Sequence, residues 1–196
     1  MNVPNRLTLA RLILTIFFLL ACLTPFPWHD TVALIFFVAA SLTDYYDGKI
    51  ARRDGLITNF GILMDPLADK ILICSAFIAF VGRGFMPAWM VVIVVARELA
   101  ITGLRMLASS KNLVLAAEGY GKHKTISQIT AIIAILVSVS HGSWGTLGAM
   151  TFGVELFGDP WVEGFAEIAK WVAVVLTLYS GFLYLWRNRA LYLDDL

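Results

Sequence analysis

Apolar residues along this chain come in long blocks and do not alternate with polar ones. Six blocks, roughly 5–24, 31–52, 61–82, 87–108, 125–143 and 168–187, match the demand of a membrane-spanning helix for about 20 mostly apolar residues. The breaks between them carry helix-ending chemistry: Pro25 and Pro27, Asp54-Gly55, Gly82 through Pro87, Gly119-Tyr120-Gly121, and Asp159-Pro160. Long unalternating blocks predict helices and exclude a membrane barrel. The first block is the least clean, because polar positions run from Asn2 to Arg11. It predicts a short amphipathic entry segment, at the surface, that runs on into the first span. Arg6 and Arg11 interrupt its start and no compact small-residue site follows Leu20, so it is expected to be retained and not cleaved as a signal peptide. The pattern is free of internal repeats and heptads and predicts one domain over 1–196: an all-α integral membrane protein of six transmembrane helices.

Composition sharpens this. Of 196 residues, 59% are hydrophobic and 15% charged, with a mean hydropathy of +0.79. Soluble domains carry about 25% charged residues, so an ordinary soluble enzyme, a disordered chain and a basic nucleic-acid binder are excluded. Cys22 and Cys74 both lie inside apolar blocks and suggest neither a disulfide framework nor a thiolate metal site. A net charge of +1 gives no strong global field, but its distribution is informative. Six spans place both termini and the second and fourth loops on one side, which holds eleven Lys and Arg against two, Arg83 and Lys170, opposite. That face is cytoplasmic by the positive-inside rule. The six Trp lie mostly near predicted interfaces, as in an aromatic belt, and 144–167 reads as a long connection along the outer surface.

Carboxylates inside this pattern need an explanation. Asp has no long stem with which to reach water, and a central Asp costs about 2.5–3.5 kcal/mol to insert. The second block contains Asp44 and Asp47, and the third contains Asp65 and Asp69. Uncompensated, the four would cost on the order of 10 kcal/mol, comparable with a whole folding free energy. Spacings of i, i+3 and i, i+4 put each pair on one helix face. Reflection about a hairpin tip near Gly55-Leu56 matches Asp44 with Asp69 and Asp47 with Asp65 in depth, so four carboxylates converge on one cavity. Such a cluster, free of His and Cys, suits Mg²⁺, Mn²⁺ or Ca²⁺ and argues against zinc. Mg²⁺ binds through a few carboxylates together with substrate phosphates, which points to a phosphorylated substrate. A cation or proton pathway is the competing reading. Gly48 and Ala51, on the face of Asp44, and Gly61, one turn before Asp65, open a slot beside the carboxylates; ordinary small-residue helix packing is the alternative. Arg52 either binds phosphate or marks the membrane boundary.

In order, the segment reads Asp44-x2-Asp47-Gly48-x2-Ala51-Arg52-x8-Gly61-x3-Asp65-x3-Asp69. It resembles the signature of the CDP-alcohol phosphotransferase family, with eight fixed positions matched within 26 residues. The family moves a phosphatidyl or related group from a CDP-linked donor to an alcohol and releases CMP. The resemblance implies Asp44, Asp47 and Asp65 as metal ligands, with Asp69 near the metals and acting as general base. It implies Mg²⁺ or Mn²⁺ as cofactor, two ions per active site, and a homodimer. Gly48, Ala51 and Arg52 would border the CMP moiety, and Gly61 would permit close helix approach. Three further tracts resemble the bacterial branch that joins CDP-diacylglycerol to sn-glycerol 3-phosphate: Asn2 through Arg11, Ala96 through Arg105, and Gly121 through Gln128. They imply a bacterial inner-membrane location and add Asn5, Thr8 and Arg11 to the donor site. Cardiolipin, phosphatidylserine and phosphatidylinositol-phosphate synthases are the alternatives within the family.

A phosphorylated acceptor also follows from charge. Arg97 and Arg105 are eight residues apart, about 800° of helix rotation, and share nearly one face. A buried Arg requires an anion. Glu98 is the nearest in sequence, but as the next residue it points about 100° away. With Lys122 and Lys124 at the start of the fifth helix, the two arginines are expected to form a basic pocket for the acceptor phosphate; for the two lysines, anchoring at the cytoplasmic membrane boundary is the alternative. His123 reads as a boundary residue and not as a ligand.

Overall fold

The apolar blocks become helices of 21 to 27 residues in the computed structural model. It describes residues 3–54, 59–111, 113, 115, 120–156 and 158–193, with the side chains of 3–4, 45–54, 59–63, 65–66, 120–122, 190 and 193 outside that description. In chain order the long helices are α1 (Val3–Leu23), α2 (His29–Asp54), α3 (Asn59–Gly82), α4 (Ala88–Ser110) and α5 (Tyr120–Ser140). A 3₁₀ turn (His141–Trp144), the short α6 (Gly145–Thr151) and a two-residue antiparallel ladder, β1 (Glu155–Leu156) with β2 (Asp159–Pro160), then lead into α7 (Trp161–Arg187) and the terminal α8 (Ala190–Leu193).

Three stretches are long and apolar enough to cross a membrane: Asn5–Leu23, His123–Thr151 and Trp161–Arg187. The other long helices, α2, α3 and α4, carry charge along their length, including Asp44, Asp69-Lys70, and Arg97-Glu98 with Arg105. The expected entry segment is corrected: α1 is one unbroken helix from Val3, and Thr8 and Arg11 are buried within the bundle. Thr8 and Arg11 face other helices, which supply the partners that a surface-lying segment would take from water, while Arg6 is exposed. The last helix also begins seven residues before the expected 168. Pro160, extended at φ −53° and ψ 130°, starts it; Glu163 in its first turn and Arg187 in its last complement the helix dipole.

The packing inverts that of a soluble domain. Large apolar side chains such as Ile16, Leu20, Ile78, Val92, Leu99, Val175 and Phe182 point outward, while Thr8, Arg11, Glu98, Lys124, Gln128 and Thr177 are buried. Contact between helices is made by small residues, including Ala33, Ala40, Ala68, Ala76, Ala131, Ala134 and Ala173, together with Phe18, Phe37, Phe77 and Phe80. α1 packs along α2 and α3, α5 along α7 and α2, and α4 along α7. Among the described residues α2 and α3 each meet α1 more than they meet one another. The expected hairpin is therefore opened by α1, and the polar face of α1 reaches the carboxylates.

Candidate active site

Asp44, on the second-half face of α2, is only partly buried and has its Oδ1 2.7 Å from Nη1 of Arg11. The Arg11 side chain is fully buried on α1. One of the four intramembrane carboxylates thus receives its counter-charge from the amino-terminal helix. Asp69 of α3 lies within electrostatic reach of Asp44, Arg11, Lys124 and Glu98. Asp44 and Asp69 are thus near one another across α2 and α3. The side chains of Asp47, Gly48, Ala51, Arg52, Gly61, Asp65 and Lys122 lie outside the described residues, as does the hairpin tip at Gly55-Leu56.

A second cluster adjoins the first. Glu98 of α4 is buried and accepts a hydrogen bond from Lys124 Nζ at the start of α5. Its Oε1 also lies 3.4 Å from Nη1 of Arg97. The expectation that Glu98 points away from Arg97 is corrected, because both long side chains bend along the helix surface to meet. The Glu98 carbonyl accepts from Thr102 Oγ1 at 2.7 Å, and Thr102 in turn accepts from Lys70 of α3. Lys70, Arg97 and Lys124 all feel the Glu98 charge, and Lys70 also feels Arg105 and Asp69. Lys70, Arg97 and Lys124 thus gather around Glu98, with Asp69 acting on Lys70 and Lys124 as well, while Arg105, exposed on α4, lies within electrostatic reach of Lys70 and Arg97. Lys124 is not a free basic group at a membrane boundary. It is buried and paired, because a lone ammonium at that depth has no water to solvate it.

The third wall is α7, in which the sequence showed only a span. Thr177, Ser180, Gly181 and Tyr184 follow i, i+3, i+4, i+7 spacing and are buried on one face. Each meets the polar interior. Gln128 Nε2 donates to Thr177 Oγ1 at 2.9 Å, Arg97 Nη2 lies 3.4 Å from Ser180 Oγ, and Arg105 Nε lies 3.3 Å from the Tyr184 hydroxyl. Three polar or aromatic-hydroxyl positions at helical spacing in an otherwise apolar segment are the signal that would have found this stripe.

Buried carboxylates beside a basic cluster suit chemistry on phosphate esters, and comparison with known proteins specifies which. A sequence model of the CDP-alcohol phosphatidyltransferase family matches residues 1–179. The chain belongs to that family. It is 39% identical over 199 residues to a Bacillus subtilis (strain 168) protein named CDP-diacylglycerol--glycerol-3-phosphate 3-phosphatidyltransferase, covering 95% of each. A relative of the same name from Sodalis glossinidius (strain morsitans) is 34% identical over 194 residues, 96% of each chain. Another, from Yersinia pestis (strain Pestoides F), is 33% identical over 190 residues, 94% of this chain and 93% of the relative.

The protein is thus a membrane-associated transferase of phospholipid synthesis, as members of this CDP-alcohol phosphatidyltransferase family are. Among the described residues no three metal-binding side chains gather; Asp47 and Asp65 lie outside that description. The chemistry of the donor set nevertheless fits a hard divalent cation. Asp44 and Asp69 offer oxygen only, and Asp44 already accepts a cationic partner in Arg11.

Proposed function

We propose that this protein transfers the phosphatidyl group of CDP-diacylglycerol to sn-glycerol 3-phosphate, giving phosphatidylglycerophosphate and CMP at the cytoplasmic half of a six-span bundle in a bacterial inner membrane. The observation that carries this reading is the surplus of positive charge around Glu98, directly beside Asp69. Among the described residues four cations, Lys70, Arg97, Arg105 and Lys124, stand against two carboxylates, Glu98 and Asp69, and a phosphomonoester meets that surplus. The names of the near-full-length relatives support the same donor and acceptor.

In this scheme the diacylglycerol chains stay in lipid while the donor headgroup enters between α1, α2 and α3. Asn5, Thr8 and Arg11 on α1, with Gly48, Ala51, Arg52 and Gly61, border the CDP moiety. Arg97 and Arg105, with Lys124 and Lys122, orient the acceptor phosphate, Arg97 by a fork that matches two phosphate oxygens. Asp69 accepts the proton of the acceptor 1-hydroxyl. That oxygen forms a bond to the lipid-bearing β-phosphorus, and the bond from this phosphorus to the oxygen of the α-phosphate breaks, releasing CMP. Asp44, Asp47, Asp65 and Asp69 would hold Mg²⁺ or Mn²⁺, two ions per site, which when bound neutralise the diphosphate and the departing CMP. The family resemblance supports a homodimer.

The test is CMP release by purified protein in mixed micelles of detergent and CDP-diacylglycerol, with and without sn-glycerol 3-phosphate, Mg²⁺ and EDTA. Release should need both acceptor and metal. Release only with serine, inositol phosphate or phosphatidylglycerol would assign a different acceptor. Ion flux in proteoliposomes with no CMP release would return the Asp cluster to a transport role.

A further inference from the structure

Arg97 sits in an α4 groove whose opposite wall is the backbone of α7. A Cβ built on Gly181 would come 2.7 Å from Arg97 Cγ, 3.7 Å from its Cβ and 3.9 Å from its Cδ. The clash falls on the root of the side chain and not on its flexible end. One residue earlier, Ser180 Oγ lies 3.4 Å from Arg97 Nη2, while Glu98 faces Nη1. The Nε of Arg97 is buried without a hydrogen-bond partner among the described residues. The guanidinium is thus contacted at two nitrogens, and Nε–H with the second N–H of an Nη keeps a fork available for two phosphate oxygens.

We propose that Gly181, with Ser180, is a positioning residue for the acceptor: its missing side chain lets α7 approach Arg97 and sets the direction in which the guanidinium is presented. The proposal rests on the acceptor role given to Arg97 above. Arg rotamers are staggered, so Cγ relieves the clash only by leaving its well. Rotation about the first side-chain bond displaces the distant guanidinium much farther than it displaces Cγ. A misdirected fork loses its paired contact with phosphate oxygens. Helix propensity works the other way, since Ala is the better helix former, so a loss of function in Gly181→Ala must come from the contact.

The experiment compares Gly181→Ala, Gly164→Ala, Arg97→Ala and the Arg97→Ala/Gly181→Ala pair by steady-state CMP release in mixed micelles. Gly164 is on the same helix and meets nothing within 4 Å, so its variant controls for the added methyl. Gly181→Ala should raise the KM for sn-glycerol 3-phosphate by about tenfold or more, the size of one lost charge-assisted hydrogen bond, with the donor KM unchanged. Gly164→Ala should match the parent. Arg97→Ala should raise the acceptor KM, and adding Gly181→Ala to it should change nothing further. An unaltered acceptor KM in Gly181→Ala, while Arg97→Ala raises it, overturns the positioning role. An unaltered acceptor KM in Arg97→Ala instead overturns the acceptor reading on which it rests. If Gly181→Ala does not fold, Ser180→Ala decides: it removes the α7 partner without adding bulk, and an unchanged acceptor KM there overturns the proposal.

Discussion

Asp69 stands where opposing fields meet, the charges of Asp44 and Glu98 against those of Arg11 and Lys124. Two carboxylates close together repel, and a nearby ammonium attracts, so small changes here alter charge without altering packing. Asp69→Asn keeps the shape and removes the proton acceptor. It should lower the CMP-release rate by about 10²- to 10⁴-fold, the usual worth of a positioned base, while the melting temperature in detergent stays near that of the parent. Full activity in this variant would remove Asp69 from the role of base. Glu98 is a different case. It is the carboxylate that holds Lys124 and faces Arg97 in a region closed to water. Removing one member of a buried pair leaves the other uncompensated, which costs about 3–5 kcal/mol. Glu98→Ala should therefore lower thermal stability markedly. Glu98→Gln, whose amide oxygen still accepts from Lys124, should lower it less. Equal melting temperatures for Glu98→Ala and the parent would show that water or lipid phosphate solvates the cations.

At the scale of whole helices, legibility followed charge. Asp44 and Asp69 could be singled out as neighbours from numbering alone, because a carboxylate in an apolar block has few innocent explanations. Arg11 and Glu98 were visible as charges, but their partners were not. Sequence spacing relates residues on one helix, whereas Arg11 meets α2 and Glu98 meets α5. The stripe on α7 was harder still, since Thr, Ser and Gly are ordinary in spans and gain meaning only from Gln128 and Arg97 opposite. The start of α7 was missed for a composition reason: Glu163 and Glu167 dilute its first two turns below the hydropathy of a span. Those turns are held instead by aromatic contacts. Phe152 packs on Trp144 with ring centroids 5.5 Å apart and on Trp161 at 5.9 Å, and Trp161 continues to Phe165 at 6.2 Å. The connection contains no acid-base chemistry that reaches Asp69. Phe152→Ala should accordingly cost stability, about 1–3 kcal/mol for two aromatic pairs and the buried ring area, and leave kcat for CMP release unchanged. A fall in kcat with no fall in melting temperature would tie the outer connection to catalysis.

For the molecule as a whole, the question is how many helices cross. α1, the stretch from His123 and α7 qualify by composition, while α2 to α4 carry the charges that the chemistry requires. Among the described charges Glu98 is buried and paired with Lys124, and α2 to α4 present apolar exteriors such as Ile35, Ile78, Val92 and Leu99 to their surroundings. Six crossings are the arrangement we propose: an unsatisfied helix end in hydrocarbon is costly, and each of these helices is over 20 residues long. The two cations assigned to the outer end are neutralised locally, Arg83 by Asp30 and Lys170 by Glu167 and the Phe85 carbonyl. The remaining basic charge is thus concentrated at the other end, which strengthens the orientation by the positive-inside rule. Single cysteines at Pro27, Ser110 and Glu155, all exposed, test both points in a background lacking Cys22 and Cys74. With a membrane-impermeant maleimide on intact spheroplasts, Pro27→Cys and Glu155→Cys should label, and Ser110→Cys only after permeabilisation. Pro27 and Ser110 are separated by α2, α3 and α4, so labelling of both on the same side would mean that one of the three charged helices fails to cross. Labelling of Ser110→Cys alone would keep the crossings and reverse the orientation, placing the Asp44–Asp69 site away from cytoplasmic sn-glycerol 3-phosphate.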